Sequence, residues 1–458
     1  MSDRSLRILH AIHDYLPRHQ AGSEIYAHAL VQAQLARGHQ ATVVCASYDL
    51  KLAHGHMLWR IHEGVPVAEI TNNWASESFA DTYRDPVIAQ RLQQVLDEVK
   101  PDIVHIHNLL NLSFDLPRMA KEAGARVVAT LHDYTLVCAS GGQRLHRAES
   151  HVCHVIETDR CARCFSESVY GRQAAFGRLK GGAPGALSSI ARAARAALPL
   201  TVARISGRAP GFATVQADLD QRMDAARAVF EAVDLFVAPS PSIAREYAAL
   251  GLSPNKIRVS DYGFPARRQP DMLRTNSARM RIGFIGTPVY HKGAHVLLDA
   301  VKRLPANAVD LTIVGDLEVA PEYTAELRHR ATGLRVTFTG RIPHADVSRH
   351  YDRLDVLVVP SLWLENSPLV IHEAFAAGVP VVGSNLGGIP DLVKHEQNGL
   401  LFEPGNPLSL AQELRRLLTD PDLLPRLSAG RATIKSIDDD ATEWDAAYDA
   451  LLHAPAWS

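Results

Sequence analysis

Short apolar runs alternate with helix-like stretches along most of the chain. They fall into two series, LRILHAI, ATVVCAS, DIVHIHN, RVVATLH, DLFVAPS and KIRVSDY, and then MRIGFIG, LTIVGD, RVTFTG, LDVLVVPS and VPVVGSN. Continuous apolar strands separated by helices indicate parallel sheets that are covered on both faces. Two such series predict an α/β protein with two doubly wound domains. Ligands of such domains bind beyond the carboxyl ends of the strands.

The length of 458 residues exceeds what a single hydrophobic core normally supports. We place the first domain at 1–265, a linker at 266–280, the second domain at 281–435, and a helix that crosses back to the first domain at 436–458. The net charge of −2 argues against general attraction to nucleic acid. No run resembles a secretion signal or a membrane-spanning helix, so we expect a cytoplasmic protein.

Two glutamates eight residues apart, Glu365 and Glu373, stand in the stretch WLENSPLVIHEAFAAGVPVV. We expect Ser367 to cap a helix that begins at Pro368 and ends before Gly378. A helix N-terminus suits a phosphate, and carboxylates on either side of it could hold sugar hydroxyls. The stretch therefore indicates a nucleotide-sugar pocket. A surface helix with two unrelated acids is the alternative from spacing alone.

The second series opens with a strand, the turn GFIGTPVYHKG and the helical run AHVLLDAVKRL. This order places Lys292, beside Gly293, at a helix N-terminus, where its ammonium could meet a diphosphate. No G-x-G-x-x-G follows the first strand of either series, which argues against a nicotinamide or flavin dinucleotide enzyme.

Several motifs together resemble the retaining glycosyltransferases of family 4. In the second half they are Gly-Thr-Pro-Val-Tyr-His-Lys-Gly, Glu-Asn-Ser-Pro-Leu followed by Glu-Ala-Phe-Ala, and Gly-Gly-Ile-Pro-Asp. In the first half, Pro17 to Glu24 is similar to the family's glycine-rich loop, and Thr-Leu-His-Asp contains its histidine, His132. The resemblance implies the GT-B fold, in which two Rossmann-like domains face a central cleft.

The resemblance also implies an activity, the transfer of a sugar from a UDP- or GDP-sugar to an acceptor hydroxyl with retention of configuration. It implies no cofactor for catalysis and no metal at the diphosphate. The residues implied for catalysis are His132, Lys292 and Glu365. Those implied for donor binding are Gly22, Ser23, Thr287, Lys292, Arg341, Glu365, Asn366, Ser367, Pro368, Leu369 and Glu373. Lys292 would neutralise the leaving phosphate, Glu365 would bind the sugar, Glu373 the ribose, and His132 would face the donor sugar.

Two positions depart from the family pattern. Thr287 stands where the family usually has an arginine paired with the lysine, so one positive charge is missing unless Arg341 or another arginine compensates. The glycine-rich loop reads Ala21-Gly22, where two glycines are common. Both departures bear on donor affinity rather than on the fold.

Four of the five cysteines, Cys138, Cys153, Cys161 and Cys164, follow the spacing C-x14-C-x7-C-x2-C. Four thiolates satisfy a tetrahedral structural zinc site, and the same ligands suit an iron–sulfur cluster. The alternative is four free thiols in a loop. A zinc ion held by all four would pin the Cys-rich segment (138–164) and shape the acceptor side of the first domain.

A basic segment follows. Residues 168–217 carry seven arginines and lysines between apolar side chains and have no acidic residue. We interpret 165–232 as a helical insertion, in which 172–208 either contacts anionic lipid or packs as a solvated part of its own domain.

The acceptor is expected to be a saccharide, either lipid-linked or a small soluble molecule, which fits polysaccharide, lipid-linked saccharide or natural-product glycosylation. Peripheral contact would place the protein at the inner face of the plasma membrane. A sugar-nucleotide epimerase, a phosphorylase and a non-catalytic binding protein remain as alternatives on the same architecture.

Overall fold

The computed structural model describes residues 5–173, 215–265 and 277–454. The named strands are β1 (Arg7–Ile12), β2 (Gln40–Ser47), β3 (Met57–His62), β4 (Val65–Thr71), β5 (Ile103–Ile106), β6 (Arg126–Thr130), β7 (Leu145–His146), β8 (His151–Val152), β9 (Leu235–Ala238), β10 (Ile257–Val259), β11 (Met280–Ile285), β12 (Val309–Val314), β13 (Val336–Gly340), β14 (Val356–Val359), β15 (Val381–Ser384) and β16 (Gly399–Phe402).

The named α-helices are α1 (Gly22–Ala36), α2 (Pro86–Val99), α3 (Leu116–Glu122), α4 (Thr158–Glu167), α5 (Gln216–Ala232), α6 (Pro241–Ala249), α7 (Ala294–Val301), α8 (Pro321–Arg330), α9 (His344–Tyr351), α10 (Leu369–Ala376), α11 (Ile389–Leu392), α12 (Pro407–Thr419), α13 (Leu423–Ala429) and α14 (Ile437–His453). None of the described helices is long and apolar enough to cross a membrane.

The first domain contains an eight-stranded sheet in the order β10-β9-β6-β5-β1-β2-β4-β3. Its strands are parallel except β3, which runs antiparallel to β4. Chain order reverses direction across the sheet between β1 and β5. A crevice opens at the carboxyl edge of a sheet where this reversal occurs.

The second domain contains a six-stranded parallel sheet in the order β13-β12-β11-β14-β15-β16. Its order reverses between β11 and β14, so the loops that follow these two strands meet at the switch point. The prediction of two doubly wound parallel domains is confirmed. The apolar runs of both series form strands, whereas the β3–β4 pair and the last strand, β16, were not predicted.

The C-terminal helix α14 packs on the first domain. Trp444 and Tyr448 are buried in a cluster with Ile8 and Leu30 from the first sheet and α1. On the same helix, Asp445 accepts a hydrogen bond from Arg37 Nε at 2.6 Å. Helix α14 therefore packs on the first domain, although it follows the second domain in the sequence.

One prediction about the first domain needs correction. The helical insertion was placed at 165–232, but α5 within that range is a core helix that directly precedes β9. Arg222 of α5 is buried and donates to the carbonyl oxygen of Leu136 at 3.0 Å. The regular strand–helix alternation therefore resumes at 216. Residues 174–214, which include most of the 172–208 segment, lie outside the described residues.

Candidate functional site

The loop after β11 turns sharply into α7. A short 3₁₀ turn, Tyr290–Lys292, ends at Gly293, whose φ is +72°. A Cβ at Gly293 would lie 1.9 Å from the carbonyl oxygen of Pro360. Only glycine therefore fits, since it tolerates this backbone conformation and has no side chain to collide. The close approach brings the loop after β11 against the loop after β14 at the switch point.

Lys292 and Glu365 meet where these two loops touch. Lys292 Nζ lies 2.7 Å from Glu365 Oε1, and Ser361 Oγ donates to the same oxygen at 2.7 Å. Glu365 is buried, and burial alone would raise its pKa. The charge of Lys292 and the hydrogen bonds from Lys292 and Ser361 outweigh that effect and lower the pKa. The site therefore holds an ionised carboxylate and a cation together.

Helix α10 begins one residue later than predicted, at Leu369, and Pro368 precedes it. Ser367 is not its cap. The Ser367 hydroxyl donates to Asp261 Oδ1 at 2.7 Å and lies 2.8 Å from His372 Nε2. Because Asp261 belongs to the first domain, Ser367 links the domains instead of capping the helix. At the other end, Gly378 follows the helix with φ +70°, as expected for a left-handed terminator.

Glu373 lies on α10, and its carboxylate accepts a hydrogen bond from the Tyr351 hydroxyl at 2.7 Å.

The Gly-Gly-Ile-Pro motif packs against the loop that precedes α10. A Cβ on Gly388 would lie 1.5 Å from the carbonyl oxygen of Asn366. The Gly388 amide donates to the Glu365 carbonyl at 2.7 Å. The Gly-Gly-Ile-Pro motif therefore fixes the backbone of the loop that carries Glu365.

The glycine-rich loop of the first domain lies opposite α10. Gly22 and Ser23 are the first two residues of α1. A Cβ on Gly22 would lie 3.2 Å from the side chain of Leu369, the first residue of α10. The N-termini of α1 and α10 thus lie next to each other. Backbone N–H groups at such termini suit an anion.

Glu24 is a buried acid in the first turn of α1 that sequence reasoning did not select. It contacts His13 at 3.2 Å and His19 at 3.4 Å. Burial alone would raise its pKa, but the hydrogen bond from His19 and the charge of both imidazoles lower the pKa to about 2. Glu24 therefore stays ionised and holds the glycine-rich loop in place.

Asn366 joins the two domains through three hydrogen bonds. Its amide nitrogen donates to the Leu131 carbonyl at 2.6 Å and to the Tyr262 hydroxyl at 3.2 Å. Its amide oxygen accepts from the Ser240 hydroxyl at 3.0 Å. All three partners belong to the first domain. The Asn366 side chain thus bonds to the protein itself, and its predicted contact with the donor stays a prediction.

His132 lies at the end of β6 in a chain of hydrogen-bonded side chains. Its Nδ1 is 2.8 Å from the Tyr262 hydroxyl and its Nε2 is 3.0 Å from His107 Nδ1. His107 Nε2 is in turn 3.0 Å from His10 Nδ1. Burial lowers the pKa of His132 to about 3. The neutral imidazole of His132 therefore positions Tyr262. Both of its nitrogens have protein partners, so neither is free to accept a proton from substrate.

The remaining predicted donor residues lie at the same edge of the second sheet. Thr287 follows β11 and is exposed. Arg341 is also exposed and follows β13, two strands from β11. The contact of Arg341 with the donor therefore stays a prediction.

A different arginine, not found from the sequence, lies beside the loop that follows β11 and contains Tyr290–Lys292, called the lysine loop below. The guanidinium carbon of Arg147 is 5.1 Å from the centre of the Tyr290 ring. Ser150 Oγ lies 3.3 Å from the Tyr290 hydroxyl. Both residues belong to the β7–β8 hairpin of the Cys-rich segment, so this hairpin reaches the second domain. The pKa of His291 is lowered to about 3, mainly by burial and then by the charge of Lys292, and the charge of Arg147 acts in the same direction.

The four clustered cysteines are free thiols that line one small cavity. Cys138 follows β6, Cys153 follows β8, and Cys161 and Cys164 lie one turn apart on α4. Burial raises the pKa of Cys161 to about 12 and that of Cys164 to about 11.

Two family models match separate parts of the chain. Residues 279–420 match "Glycosyl transferases group 1", and residues 21–167 match "Glycosyltransferase Family 4". The chain is similar over its whole length to the solved structure of Anabaena HepE in complex with UDP and glucose. That match has a TM-score of 0.60 and 17% identity, and it covers 98% of this chain and 100% of HepE. The fold is GT-B, and the matches support a GT-B glycosyltransferase.

Curated relatives match over part of their length. The sulfoquinovosyl transferase of Arabidopsis thaliana is 29% identical over 208 residues, which is 42% of this chain and 39% of the relative. The 2-deoxystreptamine glucosyltransferase of Streptomyces kanamyceticus is 34% identical over 153 residues, 33% of this chain and 39% of the relative. The chain therefore spans well under two thirds of the length of these two relatives.

Proposed function

We propose that this protein is a retaining glycosyltransferase that moves a sugar from a UDP- or GDP-sugar to an acceptor hydroxyl. The proposal depends above all on the pairing of Lys292 with Glu365 at the switch point of the second sheet, where α10 begins. The contact between Gly22 and Leu369 brings the N-terminus of α1 to the same place. A cation and two helix N-termini suit the diphosphate, and a buried carboxylate suits the sugar hydroxyls.

In the proposed reaction the bond between the anomeric carbon and the leaving phosphate oxygen breaks. The acceptor oxygen forms its bond to the anomeric carbon on the same face, and its proton passes to the leaving phosphate oxygen. The charge that develops on the phosphate needs stabilisation more than the acceptor needs a strong base. The positive charge of Lys292 supplies that stabilisation, and Glu365 orients Lys292 while it accepts hydrogen bonds from the sugar.

His132 is a positioning residue in this proposal. Its hydrogen bond to Tyr262 fixes the hydroxyl that Asn366 also contacts. Through this chain the end of β6 is coupled to the loop that carries Glu365. A neutral His132 near the sugar also adds no positive charge that would compete with the forming cationic centre.

Arg147 is the arginine that compensates for Thr287 in this proposal. It lies over Tyr290, two residues before Lys292 in the chain, and reaches this loop from the first domain. A guanidinium there adds a second cation to the diphosphate site when the two domains are together. Donor binding would then depend on the β7–β8 hairpin of the Cys-rich segment as well as on the second domain.

A saccharide, lipid-linked or free, is the acceptor class that we propose, held by the loops of the first domain. The expected cytoplasmic location and the peripheral membrane contact through 172–208 belong to the same proposal. Residues 174–214 lie outside the described part of the chain, so the membrane contact depends on composition alone.

Incubation of the full chain with a panel of UDP-, GDP- and ADP-sugars, with released nucleotide as the readout, tests the proposal. We expect one donor to release nucleotide faster when a saccharide acceptor is present, and the anomeric coupling constant of the product to match that of the donor. An altered nucleotide sugar without release would indicate an epimerase. Sugar phosphate formed only with inorganic phosphate would indicate a phosphorylase, and binding without turnover a non-catalytic protein.

A further inference from the structure

The four clustered cysteines converge from three separate elements. The turn after β6 contributes Cys138, the end of the β7–β8 hairpin contributes Cys153, and α4 contributes Cys161 and Cys164. The two helical cysteines are three residues apart, so both side chains lie on the same face of α4. Four thiols from three elements around one cavity are the ligand set of a structural zinc site.

Polar side-chain atoms without a hydrogen-bond partner line the same cavity. The Arg144 side chain is fully buried, and its Nη1 donates to Glu246 at 2.5 Å. Its Nε and Nη2 have no hydrogen-bond partner, and neither has the buried His146 Nε2. Both residues line the cavity together with the thiols. Buried guanidinium N–H groups without an acceptor are costly, so the cavity favours an occupant that accepts hydrogen bonds.

We propose that Cys138, Cys153, Cys161 and Cys164 bind a structural zinc ion as thiolates. Four thiolates around Zn²⁺ carry a net charge of −2, which the Arg144 guanidinium partly neutralises, and its free N–H groups can donate to the sulfur atoms. All four coordination positions are filled by protein, so this zinc takes no part in sugar transfer.

Zinc binding requires a local contraction of the cavity. No three of the four sulfur atoms, all of which the structure describes, lie within 4.8 Å of one another. Tetrahedral coordination at the usual Zn–S length of about 2.3 Å requires sulfur–sulfur distances of about 3.8 Å. Zinc would therefore draw the turn after β6, the β7–β8 hairpin and α4 closer together. Because Arg147 and Ser150 on the same hairpin contact Tyr290, the metal would also fix how the first domain meets the lysine loop.

Metal analysis of the purified full chain tests the site without any need for sugar transfer. We expect about one zinc per chain, and intense visible absorption typical of tetrahedral thiolate coordination when cobalt replaces zinc. The double variant Cys161→Ser/Cys164→Ser should lose the metal. The matched control is Cys45→Ala, since Cys45 is buried alone in β2, and this variant should keep the metal.

Wild-type protein without stoichiometric metal after growth with added zinc would overturn the proposal, as would zinc retained by the double variant. Iron with acid-labile sulfide in place of zinc would overturn the choice of ion. If the double variant does not fold, the cobalt spectrum of the wild type and zinc release on thiol modification still decide the question. An inactive protein with full zinc content would contradict the glycosyltransferase proposal alone.

Discussion

Lys292 and Glu365 form an ion pair, 2.7 Å between Nζ and Oε1, across the switch point of the second sheet. The two residues are 73 positions apart and follow different strands, β11 and β14. Ser361 donates to the same carboxylate oxygen. The cation is therefore held in a fixed position before any donor arrives, which is what electrostatic stabilisation of a leaving group requires.

Replacement of Lys292 by alanine should abolish most turnover. Loss of one preorganised charge-stabilising group typically lowers kcat by about 10²–10³. The variant should also lose about 1–3 kcal/mol of unfolding free energy, because Glu365 keeps a buried charge with fewer partners. Steady-state kinetics and urea denaturation measure the two effects. Lys302→Ala, which removes a partly exposed lysine of the same domain, is the matched control and should change neither.

The double variant Lys292→Ala/Glu365→Gln separates the two effects. The neutral amide removes the unpaired buried charge, so we expect stability to recover while turnover stays low. Recovery of turnover in the double variant would contradict the role of Lys292.

Replacement of Arg147 by alanine should weaken donor binding. Because Arg147 adds a second cation beside the lysine loop, we expect kcat/KM for the donor to fall about tenfold and to depend less on ionic strength. Initial rates at low and high salt measure this. Arg163→Ala removes an exposed arginine of the same Cys-rich segment and serves as the control. The added change Thr287→Arg, at an exposed position after β11, should restore much of the loss. An unchanged kcat/KM in Arg147→Ala would contradict the assignment.

Much of the fold could be predicted from the sequence, because strands covered on both faces are continuously apolar. The β3–β4 pair could not be predicted in the same way. It lies at the edge of the first sheet, and Leu58 and Ile61 in β3 are 49% and 77% exposed. Such a strand lacks the buried run that marked the others.

Part of the candidate site could likewise be predicted from the sequence, and part could not. Lys292 and Glu365 could be predicted because each follows a strand of the same domain, and parallel strands bring their carboxyl ends to one edge. The bonding of Asn366 and Ser367 could not, because their partners Leu131 and Asp261 lie 235 and 106 residues away in the other domain. Domain packing, which no local pattern encodes, decides such contacts.

The buried histidines should make the protein sensitive to acid. Burial lowers the pKa of His10 to about 4 and that of His132 to about 3. Below the ordinary histidine pKa of about 6.5 the unfolded chain binds protons that the folded chain does not. Their contribution to stability is therefore complete well above pH 6.5 and falls as the pH decreases, toward about 4 for His10 and about 3 for His132. For His10 alone the loss amounts to about 3 kcal/mol.

Urea denaturation from pH 7.5 to pH 4.5 measures this dependence. His10→Gln should reduce the proton uptake on unfolding between pH 5 and 6 by up to about one proton, because one group that titrates on unfolding is gone. His453→Gln, which changes an exposed histidine of α14, should leave the slope unchanged. Equal slopes for the wild type and His10→Gln would show that His10 does not titrate in this window.

Replacement of Asn366 by aspartate should separate the domains without a change in side-chain size. The Asn366 amide nitrogen donates to Leu131 and Tyr262, and a carboxylate cannot donate to either. The Leu131 carbonyl would then face a buried negative charge, which we expect to cost about 1–3 kcal/mol of unfolding free energy and to lower kcat/KM. Asn385→Asp adds the same charge at an exposed position of the second domain and is the control. Thermal denaturation and limited proteolysis should show a lower transition and faster cleavage between the domains only for Asn366→Asp. Equal behaviour of the two variants would mean that Asn366 does not hold the domains together.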